Sequence, residues 1–71
     1  MAEQTQGLIR EALALLQRGD SRGAMAALDE ALSQFPGDAD VRLNRAMVQR
    51  ASGNLRAALA ELDAALAIDP Y

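Results

Sequence analysis

The chain predicts an all-α fold of two stacked antiparallel helix-turn-helix hairpins, and three observations lead to it. The segment GDSRGAMAALDEALSQFP, from Gly19 to Pro36, returns as GNLRAALAELDAALAIDP from Gly53 to Pro70, offset by 34 residues with nine of eighteen positions identical. The apolar residues are mainly Ala and Leu, both strong helix formers, whereas β-branched residues are few: Thr5, Ile9, Val41, Val48 and Ile68. Gly19, Pro36-Gly37, Gly53 and Asp69-Pro70 punctuate the chain at intervals suited to short helices. A repeat of this length is one supersecondary unit that cannot bury its apolar face alone, so the two copies are expected to stack.

The first helix is expected from about Glu3 to Arg18, with Leu8, Ile9, Ala12, Leu13, Leu15 and Leu16 on its apolar side. Gly19 supplies the left-handed residue that ends it. Asp20 or Ser21 caps the second helix, about Arg22 to Gln34, whose buried stripe is Ala24, Met25, Leu28, Ala31 and Leu32. Pro36 cannot continue a helix and restricts Phe35 before it. Asp38 caps the third helix, about Ala39 to Ser52, and Gly53 ends it. Asn54 caps the fourth, about Leu55 to Ile68, before the Asp69-Pro70 break. The turns are so short that each neighbouring pair must run antiparallel. The 71 residues read as one domain, with a first unit at about 5–38 and a second at about 39–71.

Composition excludes most chemistry. The chain has neither Cys nor His, which removes disulfides, thiolate nucleophiles, cysteine zinc sites and the commonest general base together. The carboxylate pairs Asp29 with Glu30 and Asp38 with Asp40 are the nearest thing to an acid–base or metal site. Asp38 has a sufficient role as a cap, and Asp29 recurs as Asp63 on what reads as an idle outward face. With no phosphate loop or nucleophile–base pair, the expectation is a chain that is not an enzyme and takes no cofactor or metal. A net charge of −3 argues against a nucleic-acid partner, which calls for a basic surplus. No apolar run approaches the length of a membrane span, and Met1–Arg10 lacks a signal peptide's basic start and apolar core. A cytoplasmic location without membrane contact is therefore expected.

These residues resemble the tetratricopeptide repeat, a 34-residue helical hairpin that stacks into superhelices. The resemblance spans about Thr5 to Pro70. With Gly19 and Gly53 at the family's second glycine position, Ala24 and Ala58, Leu28 and Leu62, Ala31 and Ala65, and Pro36 and Pro70 fall on its later signature positions. The match is thinner in the first helix of each unit. Leu8 and Arg42 stand at the tryptophan position, Glu11 and Arg45 at the leucine position, and Ala12 and Ala46 at the first glycine position.

The resemblance implies a protein or peptide partner, held in a concave groove lined by the first helix of each unit. By the family's positions the first unit would contribute Ile9, Arg10, Leu13 and Leu16 to that groove. The second would contribute Leu43, Asn44, Met47 and Arg50. The floor would be apolar, with Arg10, Asn44 and Arg50 as polar handles; an apolar patch rimmed by polar groups suits an interaction site. The same leucine and isoleucine positions equally suit a helix core. A clamp for a C-terminal carboxylate is not expected, because Ile9 and Leu13 occupy two of its positions and only Asn44 matches.

Self-association is also expected. The fourth helix replaces Glu30, Ser33 and Gln34 of its counterpart with Ala64, Ala67 and Ile68, and together with Ala60 these form a candidate homo-oligomer face. Two alternatives stand beside a binding scaffold. The chain could be a purely structural oligomerisation unit, or the N-terminal part of a longer bacterial repeat protein whose catalytic domain lies beyond Tyr71.

Overall fold

In the computed structural model, which describes residues 2–68, the chain forms four helices: α1 (Ala2–Gln17), α2 (Ser21–Gln34), α3 (Ala39–Ala51) and α4 (Leu55–Ile68). Each boundary falls within a residue or so of the expected one. The expected Asp69-Pro70 break lies outside the described residues.

The turns explain the boundaries. After α1, Gly19 at φ 82° lets its own N–H reach Leu16 O at 2.9 Å while the Asp20 N–H reaches Leu15 O at 2.9 Å. After α3, Gly53 at φ 84° repeats the arrangement, with Gly53 N–H to Arg50 O at 3.0 Å and Asn54 N–H to Gln49 O at 2.8 Å. Both are paired Schellman hydrogen bonds that satisfy the last carbonyls of a helix, and glycine reaches that conformation without steric penalty. Of the two candidate caps for α2, Asp20 fills the role: its Oδ1 accepts the Gly23 N–H at 2.8 Å. Asp38 Oδ1 accepts from both Asp40 and Val41 at the start of α3, and Asn54 Oδ1 accepts from Ala57 at 3.4 Å at the start of α4.

Helices α1 and α2 pack as one hairpin and α3 and α4 as the other, with α3 lying mainly across α2 and lightly against α1. The 34-residue offset survives into packing: Ala12 and Ala46, Ala24 and Ala58, and Ala31 and Ala65 are buried in both copies. Small side chains at these crossings let the helix backbones come close. Around them Ile9, Leu28, Val41 and Val48 complete the main core, so α3 closes the first hairpin with its two valines. Full burial of Leu28 contributes about 1.5–3 kcal/mol relative to exposure.

Where the resemblance places an aromatic and an aliphatic contact inside the second hairpin, the structure has charges. The Arg45 guanidinium lies 3.0 Å from Glu61 on α4 and 3.2 Å from Asp29 on α2, and Arg42 lies 3.6 Å from Glu61. Asp29 is therefore not idle, contrary to the sequence expectation. It faces α3, where the neighbouring unit supplies Arg45.

Candidate functional site

The 34-residue equivalence turns the first hairpin into a reference for the second. In the first, Ile9 is 5% exposed, and Leu13, Leu16, Met25 and Leu32 are half-buried against the core that α3 completes. The counterparts of Ile9, Leu13, Met25 and Leu32 are Leu43, Met47, Leu59 and Leu66, which are 44%, 45%, 62% and 57% exposed, while Arg50 stands in place of Leu16. These four pairs of side chains are of comparable size and lie at the same fold positions; the difference is that α3 packs on the first hairpin, whereas no other described helix packs on the second from its far side. Between α3 and α4 this uncovered face forms an open groove of about 290 Å³, floored by Ala46, Ala58 and Leu62 and flanked by Leu43, Met47 and Arg50.

The residues expected to form one groove are thus divided. Leu43, Met47 and Arg50 share this groove, and Asn44 follows on the same helix, half-buried. The Asn44 Nδ2 donates to Asp40 O at 2.8 Å, so one of its two amide protons serves its own helix rather than a partner backbone. Ile9, expected on the groove floor, is 5% exposed and packs in the core cluster. Leu13 and Leu16 are partly covered, and Arg10 is exposed on α1. On the expected self-association face Ala60, Ala67 and Ile68 are exposed and Ala64 is half-buried.

Sequence reasoning passed over Leu55, Leu59 and Leu66, each more than half exposed on α4. A signal was present at one of them, because Leu55 replaces Ser21 at a helix start that has no need of an apolar residue.

The arginines at the weak signature positions form a second, polar feature. Arg42, Arg45 and Glu61 have side chains 26%, 19% and 13% exposed. Arg42 Nε, Arg45 Nε, Gln49 Oε1 and Glu61 Oε2 are buried without a hydrogen-bond partner, and the 3.6 Å approach of Arg42 to Glu61 is too long for one. Two cations and two carboxylates balance one another in charge, so the cluster holds α2, α3 and α4 together and offers no net field to an ion. Among the described residues, no three Asp or Glu side chains converge as metal ligands. No described helix is long and apolar enough to cross a membrane.

Antiparallel hairpins repeating at 34 residues, with small side chains at the crossings and one covered and one open face, define a helical-repeat protein. The family model of the tetratricopeptide repeat matches residues 15–70, and the chain belongs to that family. Comparisons with curated proteins and with solved structures returned no match.

Proposed function

We propose that this chain is a protein-binding module that takes its partner on the open side of the second hairpin. Leu43 and Met47 are the apolar anchors, with Asn44 and Arg50 as polar contacts. Tetratricopeptide repeats are in general non-catalytic interaction modules, which supports the class of function. The observation that carries the site is the contrast between Ile9, buried, and Leu13, half-buried against the core, and Leu43 and Met47, exposed at the same positions. An exposed apolar stretch rimmed by polar groups is the surface feature that partner binding explains. A photo-crosslinking residue in place of Met47 tests the reading in lysate of the source cells, with the same residue in place of Ala14, exposed on α1, as control. A discrete adduct from position 47 alone, competed away by excess unlabelled chain, is expected. Equal adducts from both positions would remove the site assignment.

A second reading is favoured by one observation: Leu59, Leu66 and Ile68 are all exposed on α4, beside Ala60, Ala64 and Ala67. Two copies could pair through this face about a two-fold axis, the commonest closed arrangement of identical chains. Sedimentation equilibrium of the wild type and of Ile68→Glu reads this directly. A concentration-dependent dimer lost in the variant supports pairing, and a monomer throughout removes it.

A further inference from the structure

The first hairpin shows what kind of element fits such a face, because α3 already sits on it. Three α3 residues carry that contact: Val41 and Val48, both fully buried in the core, and Arg45, which reaches Asp29 at 3.2 Å. They stand seven residues apart with the cation between them, four after the first valine and three before the second, so all three share one side of the helix. The receiving surface is repeated in the second hairpin at the same offset. Leu43, Met47, Leu59, Leu62 and Leu66 stand for Ile9, Leu13, Met25, Leu28 and Leu32, and Asp63, exposed, stands for Asp29.

We infer that the α3–α4 face is a socket for an amphipathic helix of another protein that carries a cation between two apolar side chains seven residues apart, the cation pairing with Asp63. This rests on the protein-binding reading and deepens it, since it states the chemistry of the partner. The internal contact supplies the register, and Asp63, exposed on α4 and next in sequence to Leu62 of the groove, supplies the charge preference; charge complementarity of this kind selects among partners more than it adds raw affinity. Arg50 stands where the first unit has Leu16, so the occupant meets a cation at that end of the groove and differs there from α3.

A second copy stacked head to tail does not satisfy the socket. The α1 residues equivalent to Val41, Arg45 and Val48 are Gly7, Glu11 and Ala14. Such a copy would offer almost no apolar side chain at the two anchor points and would set Glu11 against Asp63. Like charges brought together at an interface disfavour the wrong partner. The arrangement that joins the two units within the chain is therefore closed to two chains.

The test uses the full chain and a peptide of residues 38–53, capped at both ends and stapled on its solvent side, because an isolated helix of that length is marginal in water. This peptide carries the α3 pattern of Val41, Arg45 and Val48. Titration followed by methyl and amide shifts should perturb Leu43, Met47, Leu59 and Leu66 and leave α1 unmoved. The Arg45→Glu peptide should bind about tenfold more weakly, a change of about 1.4 kcal/mol. The Asp63→Arg chain should reverse that preference, and Asp63→Asn should abolish it. Binding that ignores the sign of the peptide charge, or shifts centred on α1, would overturn the socket. So would a wild-type chain that is already dimeric and buries these leucines against its copy. A Met47 adduct found alongside charge-blind peptide binding would leave the protein-binding module standing and remove only the socket, whereas loss of both would remove the two together.

Discussion

The Arg45 guanidinium on α3 lies 3.2 Å from the Asp29 carboxylate on α2, so an ion pair crosses the seam between the two repeats. The same guanidinium reaches Glu61 on α4 at 3.0 Å, which makes Arg45 the residue through which three helices share charge. An exposed ion pair contributes little, but Arg45 and Glu61 are largely buried, and removing one partner strands the others.

Glu61→Ala is accordingly expected to destabilise the chain by about 2–4 kcal/mol, because it leaves two arginines poorly compensated. The first unit carries Leu8 and Ala27 where the second has Arg42 and Glu61. The double variant Arg42→Leu with Glu61→Ala transplants that solution and should lose less than the sum of its two single variants, with a coupling of about 0.5–3 kcal/mol. Urea unfolding of the four chains reads the coupling. Strict additivity would mean that the cluster does not act as a unit.

The crossing of α1 with α2 gives a second expectation. Ala31 and Leu28 are fully buried, while Ala26 on the same helix is exposed. Ala31→Leu should overpack the crossing by about 1–3 kcal/mol, and Leu28→Ala should open a cavity at about 2–5 kcal/mol. Ala26→Leu should be neutral within about 0.5 kcal/mol. Thermal midpoints that rank Ala26→Leu with Ala31→Leu would contradict the packing.

Gly53 isolates backbone conformation from space, since a Cβ added there meets nothing within 4 Å. Its φ of 84° lies in the left-handed region that side chains disfavour. Gly53→Ala should therefore destabilise by about 1–2 kcal/mol, and Gly53→Asn by less, because asparagine tolerates that region. Equal losses for the two variants, measured by chemical denaturation, would point to something other than backbone strain.

The caps should rank by geometry. Asp38 Oδ1 accepts from Asp40 N–H at 2.9 Å and from Val41 N–H at 3.3 Å, whereas Asn54 Oδ1 accepts one N–H at 3.4 Å. Asp38→Ala should cost about 1–2 kcal/mol and Asn54→Ala about 0.5 kcal/mol. The opposite order in urea midpoints would remove this account of how α3 and α4 begin.

What could be read in advance was local. Asp20, Asp38, Gly19 and Gly53 act on backbone groups within five residues of themselves, so their roles are written in adjacent sequence. The alanine crossings were legible through the repeat, which aligns Ala24 with Ala58 and Ala31 with Ala65. The Arg45 cluster was not, because its carboxylates come from α2 and α4 and the signature position it fills favours an apolar side chain. Nor could the repeat distinguish Ile9 from Leu43. Equivalent positions in a tandem array have the same backbone and different neighbours, and burial is a property of the neighbours. Asp29 was read as idle for the same reason: its partner lies in the other unit.

Among the described residues, helix α4 packs on α3 alone, while α2 and α3 each touch helices on both sides. Cohesion among the described helices therefore passes from one to the next like a load along a short chain, and α4 is held by a single neighbour. Opening events should begin there, peeling α4 away while the first hairpin with α3 stays folded. Amide exchange would record this as a gradient, with the protons of α4 lost first and those around Leu28 and Val48 retained longest. A helix docked over Leu59 and Leu66 would flatten the gradient, slowing exchange in α4 far more than in α1.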